Sequence, residues 1–200
     1  MNIEKLISFL ELTLKFRDIY RTIKIPGKVS TENDAEHSYQ LAMFAWYINE
    51  ADKLGLDSNK ILRLALVHDF AEVYAGDVDT HTDDLEALAQ KPAREAAARE
   101  RLKKELPEFA AFHDAMIEYE KRESEEAKLV YAADKMIAEI NVHLDDERIN
   151  IEKGLTIERI RKNKDPKIAL SPAIDKYWQQ FIPIWEQAAA KRQLSQRSEI

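Results

Sequence analysis

The chain has 200 residues, 45% of them hydrophobic and 34% charged, enough for one globular domain with a substantial core. Its net charge of −7 argues against a nucleic-acid polymer as partner, and the absence of cysteine removes disulfides, thiolate metal sites and cysteine nucleophiles together. No apolar run reaches the ~18 residues of a membrane span, and Met1-Asn2-Ile3-Glu4-Lys5 starts no signal peptide, so a cytoplasmic protein without membrane contact is expected.

Helical periodicity dominates from the start. Ile3, Leu6, Ile7, Leu10, Leu14 and Ile19 mark an amphipathic helix over roughly 2–20. Residues 21–32 read as a loop around the turn signal Pro26-Gly27. Lys15, Arg17, Arg21, Lys24 and Lys28 make this the most basic part of the chain, which on charge alone could equally be a solvated face. Asn33 and Glu36 form a capping-box pattern for a second helix running through His37 to Leu54, ended by Gly55. Ser58 is the expected cap of a third helix over 59–74, and residues 76–84 form an acidic loop. Pro92 suits the first turn of a charged outer helix that ends before Pro107. A short helix over about 108–119 precedes a long one from Ser124 to about Asp146. The last helix carries the aromatic face Ile174, Trp178, Phe181 and Trp185, with a kink expected at Pro183. With few glycines and no alternating run, the reading is one all-α domain over 1–190 and a loose polar tail over 191–200.

The chemistry concentrates in Leu64–Asp77, where a buried apolar run delivers His68 beside Asp69, then Glu72 and Asp77. Residues three and four apart share a helix face, so these groups can enter one cavity, and an imidazole next to a carboxylate suits a divalent transition metal. A satisfied core histidine beside a helix-end carboxylate is the plainer alternative. Asp134 lies among Ala132, Ala133, Met136 and Ile137, on a face expected in the core. An unpaired buried carboxylate is costly, so it needs a cation, a hydrogen-bond network or a metal. A buried Lys or Arg could serve, but Lys135 is expected to point elsewhere on the helix.

With these residues in place, the sequence resembles the HD-domain metal-dependent phosphohydrolases, whose H…HD…D signature matches His37, His68, Asp69 and Asp134. Glu36-His37-Ser38 and the string His68-Asp69-x-x-Glu72-x-x-x-Gly76-Asp77 are similar to the YfbR-like and HDDC2-like 5′-deoxynucleotidases, over roughly residues 10–150. The resemblance implies an HD-domain helical bundle, and one divalent ion (Mn, Co, Fe, Ni, Zn or Mg) held by His37, His68, Asp69 and Asp134. It implies Glu72 as the residue that positions or deprotonates water, and Asp77 as a carboxylate that steers the nucleophile or protonates the leaving oxygen. It also implies an arginine clamp before the first histidine. Arg21 is the first choice here and Arg17 the second. The family often places tryptophan a few residues after this arginine, whereas Arg21 is followed by Thr22 and Ile23. The implied activity is hydrolysis of (deoxy)nucleoside 5′-monophosphates to nucleoside and phosphate, in a homodimer. Another HD activity, on triphosphates or other phosphoesters, or an inactive metal-binding module, is the alternative. His81, His113 and His143 lie in polar stretches and read as surface or structural, so a mononuclear site is expected.

Overall fold

Helix α1 (Ile3–Phe16) begins on Asn2, whose side chain accepts from the Lys5 N–H, and it buries only Leu12 and Phe16. In the computed structural model, which describes residues 2–77 and 84–198, a hairpin follows where the pattern reads as a loop. Strand β1 (Tyr20–Lys24) pairs antiparallel with β2 (Thr31–Asn33) across the Pro26-Gly27 turn, where Gly27 takes a φ of +74°. Strands this short show no alternation, though the β-branched Thr22, Ile23 and Thr31 suit them. The rest of the described chain is helical, as expected for an all-α protein.

Helix α2 (Asp34–Ala51) starts on the expected capping box: Asn33 accepts from the Glu36 N–H at 3.0 Å, and Glu36 accepts from the Asn33 N–H at 3.0 Å. Helix α3 (Ser58–Val67) is capped by Asp57 rather than Ser58. The Asp57 carboxylate accepts from the N–H groups of Asn59 and Lys60, while the Ser58 hydroxyl donates to Glu50. The single helix expected over 59–74 breaks after Val67. The N–H groups of Phe70, Glu72 and Val73 bond to carbonyls three residues back, and a one-turn helix α4 (Glu72–Ala75) follows. Residues three apart eclipse each other in such a tight turn, which sets Asp69 beside Glu72.

Helix α5 (Leu85–Glu105) is an outer helix burying Ala98 and Leu102, with Pro92 in its interior because Asp84 caps it upstream of the expected start. Helices α6 (Ala110–Lys121), α7 (Glu125–Leu144), α8 (Arg148–Glu152) and α9 (Ile157–Ile168) come next, the last two where no element is expected. Helix α10 (Pro172–Ser198) runs on through Pro183 and through most of the tail that reads as loose.

Helix α7 is buried along most of its length and packs on α2, α3, α6, α9, α10 and β1. One core cluster joins Leu41, Leu64, Val130, Trp178 and Trp185; a second joins Phe16, Val67, Phe70, Leu102 and Phe112. Helix α3 contributes to both, so His68 leaves its end where the two clusters meet. Among the described residues no helix is long and apolar enough to cross a membrane.

Because Asn33 closes β2 and caps α2 together, its loss unsettles both. Asn33→Ala should lower the unfolding free energy by about 1 kcal/mol in urea, while Asn33→Ser should keep most of it.

Candidate active site

The burial of a charged residue on each of three helices defines the site. Asp134, halfway along α7, is 2% exposed, and its two oxygens face different partners. Oδ1 lies 3.0 Å from His37 Nε2 and 4.0 Å from His68 Nε2. Oδ2 accepts from the Tyr119 hydroxyl at 3.3 Å and is in contact with Lys135 Nζ. The expectation that Lys135 points elsewhere is therefore corrected: its long stem bends the ammonium back onto the carboxylate of its own neighbour.

His37 enters from the first turns of α2, fully buried, with Nδ1 3.3 Å from Glu32 Oε1. Burial and the Arg21 charge oppose its protonation, but the Asp134 and Glu32 carboxylates outweigh them and raise its pKa. The two imidazole rings are 5.3 Å apart. His68 Nδ1 is 2.8 Å from the Ala65 carbonyl. A carbonyl only accepts, so Nδ1 carries a proton there, and Nε2 is the ring nitrogen that faces the cluster. That Nε2 is 2.9 Å from Asp69 Oδ2 yet is not aligned for a hydrogen bond.

Arg21, on β1, closes the other side. Its Nη1 donates to Asp69 Oδ2 at 2.8 Å and lies 3.5 Å from Asp34 Oδ1, while Nε is 3.3 Å from Glu32 Oε1. Burial works against the charge on Asp69, but His68 and Arg21 hold its carboxyl well below the usual range. Asp34 and Glu72 respond the opposite way. Burial, with the Asp69 charge behind it, pushes Asp34 up to about 7 and Glu72 up to about 10. Lys91 Nζ, from α5, is 3.6 Å from Glu72 Oε1.

Two groups of donors result. His37, His68 and Asp69 offer atoms within 4.8 Å of one another, and so do Asp34, Asp69 and Glu72, with Asp69 in both. Asp34 and Glu72 are driven toward their protonated forms and His68 Nε2 has no hydrogen-bond partner. A centre of imidazole nitrogens and carboxylate oxygens in that condition fits a divalent cation.

Asp69, Glu72, Asp77, Asp134 and Arg21 line one cavity of about 840 Å³, counting the space at its mouth. Arg17 does not join them. It caps α1 and borders a separate apolar groove with Phe9, Phe16 and Phe109, because the chain turns away into β1 only after it. His113 contacts the Leu106 carbonyl and His143 lies against Phe181 and Glu147, while His81 falls outside the described residues. Sequence reasoning missed Glu32, Asp34, Tyr119 and the cavity-lining lysines. Glu32 and Asp34 flank the cap Asn33, and only the hairpin reveals that they turn inward.

The family model of the HD domain matches residues 14–175. A 5′-deoxynucleotidase from Enterobacter sp. (strain 638) is 30% identical over 165 residues, covering 79% of this chain and 82% of that protein. The 5′-deoxynucleotidase HDDC2 of Xenopus laevis is 35% identical over 133 residues, a match spanning 66% of this chain and 61% of that relative. Among solved structures, a predicted metal-dependent phosphohydrolase from Magnetospirillum magnetotacticum MS-1 superposes with a TM-score of 0.81 at 26% identity, covering 94% of each chain. The chain belongs to the HD domain family.

Proposed function

We propose that this protein is a metal-dependent phosphomonoesterase that hydrolyses (deoxy)nucleoside 5′-monophosphates to nucleoside and phosphate. The observation that carries the reading is the facing of His37 and His68 across Asp134 and Asp69, with Arg21 on the same cavity wall. The relatives named as 5′-deoxynucleotidases support the substrate class.

In this reading His37, His68, Asp69 and Asp134 hold one divalent ion. When bound, it supplies a Lewis acid for the phosphoryl oxygens and for the attacking water. The protein's own groups do the rest. Arg21 presents a planar fork to the phosphate, a geometry suited to an oxyanion. With the ion's charge favouring its ionised form, Glu72, 5% exposed and with Oε2 unpartnered, would align the attacking water and take its proton. Asp77, also on the cavity wall, delivers a proton to the leaving 5′-oxygen. Water loss around these groups strengthens each interaction. A nucleotide substrate implies a cytoplasmic setting. Tyr39, Met43 and Trp46, exposed on one face of α2, support a homodimer.

The roles separate under mutation. Glu72→Gln should retain the ion, measured by elemental analysis, while kcat falls about 10²–10⁴-fold. A proportional loss of metal and rate would make Glu72 a ligand instead. Arg21→Lys keeps a charge beside Asp69 and Asp34 but removes the fork. It should lower kcat/KM for a nucleoside monophosphate by tens-fold, about 2 kcal/mol, in steady-state assays with unchanged metal content. An unaltered kcat/KM would place the clamp elsewhere.

Among the described residues that line this cavity, Thr22 and Ile23 stand beside Arg21 and none is an aromatic that could stack on the sugar. Matched ribo- and deoxyribonucleoside 5′-monophosphates should therefore show kcat/KM values within about one order of magnitude, a gap near 1.4 kcal/mol. A strong deoxyribose preference would mean that another residue reads the 2′ position.

A further inference from the structure

The same cavity has a second chemical character that hydrolysis of a monophosphate does not use. Lys135 from α7, Lys153 at the end of α8, and Lys164 and Lys167 from α9 all line it. Lys164 and Lys167 are three residues apart and so share a face of α9. Their ammonium groups are not equally matched. Lys135 is in contact with Asp134, and Lys164 is 3.0 Å from Glu139. Lys167 donates only to the neutral amide of Asn163 at 2.5 Å and has no carboxylate partner among the described residues. An adjoining cavity, bordered by Tyr119, Tyr131 and Arg122, shares Asp69, Glu72, Lys91, Lys135 and Lys167 with the first. Lys167 thus stands between two openings onto the same carboxylates.

We propose that Lys167, with Lys135 and Lys164 beside it, forms an anion subsite for a second phosphoryl group, so that the preferred substrate is a nucleotide carrying two or more. The inference rests on the phosphoesterase reading above and moves its preferred substrate from a nucleotide with one phosphoryl group to one with a second. Lys135 and Lys164 crowd Lys167 but are themselves matched by Asp134 and Glu139, so Lys167 is the ammonium of the three that an added anion would serve. That crowding is felt at Lys167, where burial first, then Lys135 and Lys164, pull the ammonium down to about 8. A phosphate at this point restores the charge balance, and lysine suits it as a mobile point charge with three donors. Arg21 then holds the phosphoryl group that is hydrolysed, and the α9 lysines hold the one that remains.

The test compares metal-loaded wild type with Lys167→Ala and Lys167→Arg, each first checked for a wild-type melting temperature. Substrates are a nucleoside 5′-monophosphate, the matching 5′-diphosphate and the matching 3′,5′-bisphosphate. Wild type should favour one of the doubly phosphorylated substrates by at least tenfold in kcat/KM. The winner shows whether the second group lies along the phosphate chain or on the sugar. Lys167→Ala should cut that ratio at least tenfold, and Lys167→Arg should restore most of it. In calorimetry, pyrophosphate should bind wild type more tightly than orthophosphate and lose the advantage in Lys167→Ala. A wild-type ratio near one, or an equal loss on all three substrates in Lys167→Ala, overturns the subsite and leaves the phosphoesterase intact. Lys167-dependent pyrophosphate binding without hydrolysis of any nucleotide would sink the phosphoesterase reading and leave the anion subsite standing.

Discussion

One buried carboxylate constrains this structure more than any other group. Asp134 sits on the most enclosed helix, where an isolated charge would cost several kcal/mol. The chain offsets that cost with four separate elements: His37 from α2, His68 from the end of α3, Tyr119 from α6 and Lys135 from α7 itself. Each partner sets a packing requirement. Helix α2 must cross α7 where His37 Nε2 reaches Oδ1, and α3 must end where its last turn can turn a ring inward. The break after Val67 is therefore coupled to the site. The Ala65 carbonyl in that last turn takes the His68 ring N–H, which fixes the tautomer, while the following tight turn lays Asp69 over Glu72.

The hairpin solves a second electrostatic problem. Glu32, Asp34, Asp69 and Glu72 crowd one side of the centre, and mutual repulsion with burial pushes two of them toward neutrality. A single guanidinium counters three of the four, because Arg21 reaches Glu32, Asp34 and Asp69 together. A lysine at this place could not spread its donors in the same way. The Arg21 position depends on β1 pairing with β2, and β2 in turn runs into the cap of α2. Strand pairing, helix start and charge placement are one local unit here, although the strands amount to only eight residues of chain.

What the sequence made legible follows from the range over which each signal acts. The Asn33–Glu36 capping box and the helices expected over 2–20, 33–54 and 124–146 are encoded within a few residues, and they stand close to where the pattern put them. His37, His68 and Asp69 of the H…HD…D signature offer atoms within 4.8 Å of one another and Asp134 Oδ1 lies 3.0 Å from His37 Nε2, and the apolar flank around each is itself a local mark of burial. The misses have longer reach. Tyr20–Lys24 has no strand pattern of its own and is held by pairing across the turn. The stretch over 59–74 is helical in pattern throughout, yet its side-chain hydrogen bond and its packing between two core clusters break it. Lys164 and Lys167 lie in an extremely polar helix, and nothing in their neighbours along the chain says that α9 folds against α7.

The same difference of range separates the surface charge from the charge in the cavity. At a net −7 the whole molecule repels an anionic ligand, and steering from a distance works against association. At physiological ionic strength that repulsion fades beyond about 8 Å, whereas interactions inside a partly dehydrated cleft are screened far less. In the proposed function, selection for an anion would therefore happen after entry, among Arg21, Lys135, Lys164 and Lys167, which line the cavity. The carboxylates on the opposite wall sharpen that selection. They oppose a bare anion, so in the proposed function an anionic ligand would be accepted best with a cation held among His37, His68, Asp69 and Asp134. Cation and anion binding are then coupled, each raising affinity for the other by the same factor, as linkage between two sites requires.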